Sequence, residues 1–363
     1  MWIFKCSAYN ILFGVSFVYA CVGIVGGRGT GKTVFFGLLA TTVINYSIEA
    51  KQHFRFFASP GSMIKISDIV DPLKLRLWPQ ATLKGSLNEY KFTLGYRKSS
   101  IGILKENLVG LFKRPKGLGG YYNKIDFNVY DISGEDAEVI SKAARLANER
   151  GSSVLEMIPG TLETVLGCDV IVFLIDASKT TVDNTGSEYK DMLEYDGLMA
   201  GLASLIAEYR SKKRDVEASK LFFPVIVFSK FDLVDKEVLR VSGIPENLDV
   251  WLNSRNRKEI EGRLTKFMKR FYEKTLSQIY GSVLKNAPLE NAPMFVSYLV
   301  TELSAEGTPV PSVMEERGDA SYWLKYSRSE YIRLIEYFGM IADEIKKARR
   351  VSEEAASVTG VGR

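Results

Sequence analysis

One short segment near the N-terminus constrains this chain more than any other. Residues 26–33 read Gly-Gly-Arg-Gly-Thr-Gly-Lys-Thr, which matches the pattern G-x-x-x-x-G-K-[ST]. The apolar run Val18–Val25 stands directly before it, and a helix-like stretch begins at Lys32. In this context the glycines let backbone N–H groups turn inward around phosphate oxygens, and the helix N-terminus adds positive potential. The segment therefore predicts a phosphate-binding loop between a strand and a helix.

The last two residues of this loop carry the side chains that a bound nucleotide needs. Lys32 is expected to reach the β- and γ-phosphates of a nucleoside triphosphate, and the Thr33 hydroxyl is expected to ligate Mg²⁺. The other residues expected to contact the phosphates are Gly26, Gly27, Arg28, Gly29, Thr30 and Gly31.

Apolar runs alternate with helical stretches along the rest of the chain. Most of these runs are continuously apolar, as expected for strands covered on both faces. The alternation predicts an α/β fold with a doubly wound, mostly parallel sheet. The predicted strands are Val18–Val25, Glu89–Leu94, Lys124–Tyr130, Val170–Ile175, Phe222–Phe228 and Pro293–Ser297. The predicted helices are Lys32–Ile48, Ala137–Asn148, Met192–Arg210, Lys258–Ser282 and Ser329–Arg349.

Composition argues against several other classes of function. The 363 residues are 46% hydrophobic and 25% charged, which fits one large or two small globular domains, and the net charge of +5 demands neither nucleic acid nor an anionic membrane. The single histidine, His53, argues against a Ser-His-Asp triad and His-rich metal sites. Cys6, Cys21 and Cys168 lack zinc-site spacing. Their odd number and wide spacing argue against a disulfide framework and fit a reducing compartment.

A second apolar run ends in an acidic residue. The segment Val129-Tyr-Asp-Ile-Ser-Gly134 places Asp131 just after the predicted strand Lys124–Tyr130, with a glycine three residues later. Beside a phosphate-binding loop, a carboxylate in this place holds Mg²⁺ through water. Gly134 is expected to offer its N–H to the γ-phosphate. We therefore expect Asp131 to complete a metal site with Thr33.

A third apolar run ends in Ser229-Lys-Phe-Asp232. Here the sequence resembles the translation-factor class of P-loop GTPases, the Ras-like G domains, whose fourth motif is [N/T]-K-x-D after a strand. The resemblance implies that Asp232 accepts hydrogen bonds from guanine and that the stem of Lys230 lies against the base. The implied ligand is GTP or GDP. Ser229 replaces the usual Asn or Thr, which leaves the preference for guanine over adenine open.

The resemblance extends to two further positions. Trp78-Pro-Gln-Ala-Thr82 is similar to the W-P-x-x-T switch I segment of the prokaryotic "double-GTPase" branch, which implies that Thr82 closes on Mg²⁺ and the γ-phosphate. Ser297 stands where the fifth motif of this class has Ser-Ala, with Tyr298 in place of the alanine. The resemblance therefore implies a contact between Ser297 and the base.

These features predict one P-loop GTPase domain over residues 17–350. Two stretches interrupt the α/β alternation and are expected to be insertions, at about 51–80 and 299–325. An apolar leader, 1–16, precedes the domain, and a flexible tail, 351–363, follows it.

The predicted catalytic residues are Lys32, Thr82, Arg28 and Glu135. Two of them, Arg28 and Glu135, depart from the Ras-like pattern. Glu135 follows D-x-x-G, where a glutamine usually orients the attacking water. Arg28 fills the third loop position, where the side chain is usually minimal. Three alternatives remain open for Arg28. It pairs with Glu135 or stabilises transition-state charge, or it crowds the site and blocks an activator. In the third alternative the side chains of Arg28 and Glu135 both point to solvent. We expect slow intrinsic hydrolysis.

Two segments leave a membrane contact open. The run from Cys6 to Gly27 contains no charged residue and is long enough for a membrane helix or a signal peptide, although Val18–Val25 also fits a buried strand. Residues 255–285 are rich in Lys and Arg with apolar residues at helical spacing, which predicts a basic amphipathic helix packed on the sheet. We expect a cytoplasmic protein, with any peripheral membrane contact through residues 1–16 or 255–285 and no specific nucleic acid partner.

The leading hypothesis is a GTP-binding switch that acts on an effector protein. A nucleotide-binding regulatory or scaffold protein with little hydrolysis, and an ATPase that uses the same loop, are the two alternatives.

Overall fold

A computed structural model describes residues 17–49, 54–80, 87–97, 122–132, 160–212, 222–254, 256–283, 292–315 and 322–359. Predictions about the leader 1–16, the helix Ala137–Asn148, Thr82, Gly134 and Glu135 lie outside these residues.

A mixed, mostly parallel sheet forms the centre of the described structure. Seven of the described strands share it in the order β2-β3-β4-β1-β5-β6-β7. Strands β4, β1, β5, β6 and β7 are parallel to their neighbours in that run, while β2 and β3 are antiparallel. The prediction of an α/β fold is thereby confirmed. The strands are β1 Phe17–Val25, β2 Phe54–Ala58, β3 Leu87–Arg97, β4 Tyr122–Ile132, β5 Val170–Asp176, β6 Phe223–Ser229 and β7 Met294–Val296.

Helices cover both faces of this sheet. On one face α1, α2 and α9 pack over alternate strand residues such as Val172, and on the other α3, α4, α7 and α8 pack over residues such as Phe173. Every residue of β5 and β6 is buried, which explains why these strands read as unbroken apolar runs. The helices are α1 Lys32–Glu49, α2 Pro60–Lys74, α3 Gly160–Leu166, α4 Ser187–Lys212, α5 Lys236–Ser242, α6 Leu248–Leu252, α7 Arg257–Phe271, α8 Glu273–Gln278 and α9 Arg328–Thr359.

The position of β1 determines where a ligand can bind. From β1 the chain runs to β4 on one side and then crosses to β5 on the other, and β1 is parallel to both. Ligands of open α/β sheets bind in the crevice outside the carboxyl ends of the strands at such a switch point. The loop at residues 26–33 leaves β1 at this end.

The two expected insertions both contain regular structure. In the first, 51–80, β2 extends the main sheet and α2 packs against α1. In the second, 299–325, two small antiparallel pairs form, from β8 Thr301–Leu303 with β9 Pro309–Pro311 and from β10 Val313–Glu315 with β11 Tyr322–Leu324.

The prediction of one helix over Lys258–Ser282 is wrong. Helix α7 ends at Phe271, because Tyr272 leaves the helical region with φ −134° and ψ 47°. The chain restarts as α8, whose first N–H groups, of Lys274 and Thr275, donate to the buried Asp196 carboxylate at 3.1 and 2.9 Å. Apolar periodicity continues across the break and could not reveal it. The closing helix α9 is also longer than predicted and continues into the expected tail as far as Thr359.

Two of the three cysteines are paired, which corrects the expectation drawn from their spacing. Cys21 on β1 forms a disulfide with Cys168, with the two Cα atoms 4.7 Å apart. Their sequence separation of 147 gave no sign of the pairing, because β1 and β5 become neighbours only in the folded sheet.

The described helices give no membrane-spanning segment. None of them combines the length and the apolarity that a bilayer crossing needs. The apolar stripe of the basic helix α7 is buried against the rest of the protein, as the predicted packing on the sheet requires, through Ile260, Leu264, Phe267, Met268 and Phe271.

A buried carboxylate fixes the edge strand β7, which leads into the predicted site residue Ser297. Glu330 on α9 is 1% exposed and accepts hydrogen bonds from Arg257 at 2.9 and 3.0 Å and from Arg333 at 2.7 Å. It also accepts one from the backbone N–H of Val296 at 3.2 Å. Because this network joins α7, α9 and β7, it holds the end of β7 in place.

We predict that Glu330→Gln lowers the free energy of unfolding by about 3 kcal/mol, because it leaves two guanidinium groups without their buried partner charge. Glu306→Gln, at an exposed position in the turn between β8 and β9, serves as the control and should change it by less than about 0.5 kcal/mol. Urea unfolding of both variants measures the difference. Equal, small changes would show that the network adds nothing to stability.

Candidate functional site

The backbone of residues 26–33 adopts a conformation that its glycines make accessible. Gly29 and Gly31 have positive φ values of 71° and 80°, where a side chain would strain the chain. Helix α1 then begins at Lys32, and its first turn is closed by a 2.8 Å bond from the Phe35 N–H to the Gly31 carbonyl. The N–H groups of this helix end therefore face the crevice beside β1.

The side chain of Lys32 folds back over this loop. The amine donates to the carbonyls of Gly26 and Gly27, both at 3.0 Å, and the residue is 7% exposed. The Thr30 hydroxyl donates to the Gly27 carbonyl, also at 3.0 Å. These bonds hold a positive charge at the centre of the loop, where it can attract an anion.

The strand register places Asp131 beside this loop. Its Cα is paired with that of Ile24, two residues before Gly26. Thr33, in the first turn of α1, is half-buried. In the described part of the chain no three His, Cys, Asp or Glu side chains form a metal cluster. Mg²⁺ in nucleotide sites needs only one or two protein ligands besides phosphate oxygens and water, so a hydroxyl and a carboxylate fit it.

The segment after β6 turns sharply into the same crevice. Lys230 adopts the left-handed conformation with φ 51°, and a single 3₁₀ turn over Phe231–Leu233 follows. The Phe231 N–H donates to the carbonyl of Ser297 at 3.3 Å. This connects the segment 229–233, here called the base loop, to the end of β7.

An aspartate that the sequence reading missed holds the base loop. Asp176, the last residue of β5, is 1% exposed and forms an ion pair with Lys230 at 2.8 Å. Its backbone N–H donates to the Tyr195 hydroxyl at 3.0 Å, and its carbonyl accepts from Tyr272 at 2.6 Å. Burial raises the pKa of both tyrosines, which therefore stay neutral. The position of Lys230 is thus set by a rigid neighbour.

Tyr195 also supports the glycine-rich loop at residues 26–33. A Cβ atom on Gly27 would lie 2.9 Å from its ring, so only glycine allows this approach. The same tyrosine contacts Asp176, the partner of Lys230. One buried side chain on α4 therefore connects the loop after β1 to the base loop.

The carboxylate of Asp232 has an altered affinity for protons. Burial raises its pKa to about 6, and its own backbone N–H and the Lys230 charge oppose that shift. A carboxylate with a raised pKa, close to a cavity and a cation, marks a candidate functional site.

A cavity of about 310 Å³ joins the two loops. This volume lies at the lower end of the range for small-molecule sites. The residues that line it come from the loop at residues 26–33, α1, the segment after α2, the base loop, the residues that follow β7 and the insertion 299–325. They are Thr30, Gly31, Val34, Phe35, Leu38, Trp78, Ser229, Lys230, Asp232, Leu233, Ser297, Tyr298, Leu299, Thr301 and Pro309.

Two predicted base-contacting residues direct their hydroxyls elsewhere. Ser229 donates to the Ile175 carbonyl at 3.2 Å, and the Ser297 hydroxyl is bonded to that of Tyr331 at 2.6 Å. Arg28 is exposed. For Asp131 the structure gives only the backbone position, and Thr82, Gly134 and Glu135 lie outside the described residues.

The sequence did not predict a role for Asp176 at this site. It also did not predict that Leu299, Pro309 and Trp78 form a wall of the cavity. Asp176 could have been found, since it ends an apolar strand as Asp131 does. The wall residues carried no comparable signal.

Comparison with known proteins gives no further assignment. No protein-family model matches the chain, and no curated protein matches it either.

We predict that Asp232→Asn raises the melting temperature at pH 8, by roughly 2 °C, and has little effect at pH 4.5. The folded-state pKa of about 6 lies above the unfolded value, so stability is present at low pH and is lost as the pH rises through 6. The amide removes that loss. Thermal unfolding at both pH values measures it, with the exposed Asp191→Asn as the control. A pH-independent effect would contradict the burial of an ionised carboxylate.

Proposed function

We propose that this protein binds GTP with Mg²⁺, hydrolyses it slowly, and changes shape between its GTP- and GDP-bound forms. The observation that carries the proposal is that residues of both the glycine-rich loop and the base loop line one cavity. A nucleotide has a polyanion at one end and a flat heterocycle at the other, and it would contact both loops at once.

The phosphate end is supported by charge and by backbone direction. The Lys32 amine lies over the loop, and the start of α1 directs N–H groups into the same space. Thr33 and Asp131 would hold Mg²⁺ against the phosphates, and the ion would neutralise charge between them. In the proposed site Thr82 and Gly134 would approach the γ-phosphate, as the resemblance to Ras-like G domains implies.

The base end is supported by Asp232 and Lys230. An ionised Asp232 can accept from the N1–H and the amino group of guanine, whereas adenine would present the N1 acceptor to it. The ion pair with Asp176 holds Lys230 beside the cavity, where its stem can lie against the base. The Ser229 hydroxyl does not link the two loops, because it donates to the carbonyl of Ile175. Guanine selectivity therefore depends on Asp232 in this proposal.

Slow hydrolysis follows from the residue after the D-x-x-G segment. Glu135 stands where a glutamine would orient the attacking water, and its negative charge repels the γ-phosphate. A nucleotide-dependent scaffold with little turnover is the second candidate, and this glutamate favours it. In either case the readout would be contact with an effector protein in the cytoplasm or at a membrane surface.

We predict that GTP binds at least tenfold more tightly than ATP in the presence of Mg²⁺, which corresponds to about 1.4 kcal/mol. Calorimetric titration with GTP, GDP, ATP and ADP measures this.

Asp232→Asn should shift the preference towards xanthine nucleotides, since the 2-oxo group of xanthine needs a hydrogen-bond donor. Lys32→Ala should abolish triphosphate binding, and Lys190→Ala, at an exposed position, is the control. Equal binding of ATP and GTP would contradict the guanine assignment.

We predict intrinsic GTP hydrolysis well below about one turnover per second, and a change of at least threefold in Arg28→Gly. An arginine at the third loop position can stabilise charge on the γ-phosphate, or it can crowd the site; the direction of the change distinguishes the two. Single-turnover hydrolysis at saturating enzyme is the measurement. Identical rates would remove Arg28 from the mechanism, and no turnover in either protein would favour the scaffold.

A further inference from the structure

The end of α2 is held in a fixed direction. Arg76 adopts a positive φ of 61°, and the Leu77 N–H closes a 2.8 Å bond back to the carbonyl of Pro72. This is a helix-ending turn that usually carries glycine. Ile69 and Leu73 pack on α1 at Gly37, where a Cβ atom would lie 2.5 Å from Ile69. The segment 75–80 therefore leaves α2 at a set angle.

This segment contacts the β8–β9 hairpin, residues 301–311, in two places. Arg76 forms an ion pair with Glu302 at 2.9 Å, and the Trp78 indole N–H donates to the carbonyl of Pro309 at 3.0 Å. Glu302 also accepts from the hydroxyl of the buried Ser312 at 3.2 Å. The base of the hairpin is bonded to the neighbouring pair of strands, so it is an anchored partner for the segment.

Both sides of this contact line the cavity of the proposed site. Trp78 belongs to the segment and Pro309 to the hairpin, and both border the same space as Lys230 and Asp232. Trp78 is 48% exposed, so half of a large aromatic surface is covered where the two parts meet. This wall of the cavity is built from two segments that are joined by one ion pair and by one hydrogen bond to a backbone carbonyl.

We propose that segment 75–80 and the β8–β9 hairpin together form a gate over the base end of the cavity, with Trp78 as the positioning residue that retains the purine ring. The gate rests on the proposed nucleotide function. An aromatic and a proline wall suit a flat heterocycle, and base–aromatic stacking contributes substantially to binding in other proteins. Nucleotide leaves only when the gate opens, so its two cross-contacts set the dissociation rate.

The test is the dissociation rate of N-methylanthraniloyl-GDP from the full chain, chased with excess unlabelled GDP and Mg²⁺. Trp78→Ala removes ring and donor together and should raise the rate at least fivefold. Trp78→Phe keeps an aromatic ring but loses the indole N–H and should raise it about threefold. Energy transfer from tryptophan to the bound label should fall in both variants, which a remote structural role for Trp78 would not produce.

The ion pair offers a charge-swap test of the same gate. Arg76→Glu and Glu302→Arg should each raise the rate about twofold, as an exposed pair allows, and the double variant should restore it. Glu306→Gln, near the tip of the same hairpin, is the matched control and should leave the rate unchanged.

The outcomes separate the gate from the function on which it rests. If the wild type retains the label and the Trp78 and ion-pair variants release it at the wild-type rate, the gate is wrong and nucleotide binding stands. If the wild type does not bind the label, the proposed function is wrong and the gate is overturned with it. Faster release with rescue in the double variant establishes the gate.

Discussion

The parallel pairing of β1 with both β4 and β5 is the constraint on which the rest of the site depends. Because these strands run in the same direction, the loop after Val25, the end of β4 at Asp131 and the end of β5 at Asp176 meet at one edge of the sheet. The order of the strands reverses here, which opens a crevice that helices cannot fill. Without this pairing the ends of β4 and β5 would not lie beside the loop at residues 26–33.

Two buried tyrosines and one aspartate convert that arrangement into a fixed site. Tyr195 contacts Gly27 and the backbone of Asp176, Tyr272 contacts Asp176 from α8, and the Asp176 carboxylate holds Lys230. Each of these three residues is nearly inaccessible to solvent. The Lys230 side chain is 35% exposed, so water screens its ion pair with Asp176 from one side only. Tyr272 lies at the break between α7 and α8 and donates its hydroxyl hydrogen bond to the Asp176 carbonyl, so the break is part of this network.

The α/β class, six strands of the main sheet and the glycine-rich loop could be predicted from the sequence, because unbroken apolar runs and a spaced glycine motif are local signals. The sequence did not reveal features that depend on distant contacts. The end of α7 at Tyr272, the strand β2, the Cys21–Cys168 pair and the hairpin wall with Pro309 all arise from tertiary packing. Ser229 and Ser297 both line the cavity, but their hydroxyl bonds to Ile175 and Tyr331 could not be derived from a motif.

The central claim is that one ligand spans the two loops, with its phosphates on residues 26–33 and its base in the cavity beside Asp232. A crystal structure of the protein with Mg²⁺ and a non-hydrolysable GTP analogue tests it most directly. The account predicts β- and γ-phosphates within hydrogen-bonding distance of the Lys32 amine and guanine N1 within hydrogen-bonding distance of the Asp232 carboxylate. Phosphates bound away from the loop, or a base turned out of the cavity, would contradict it.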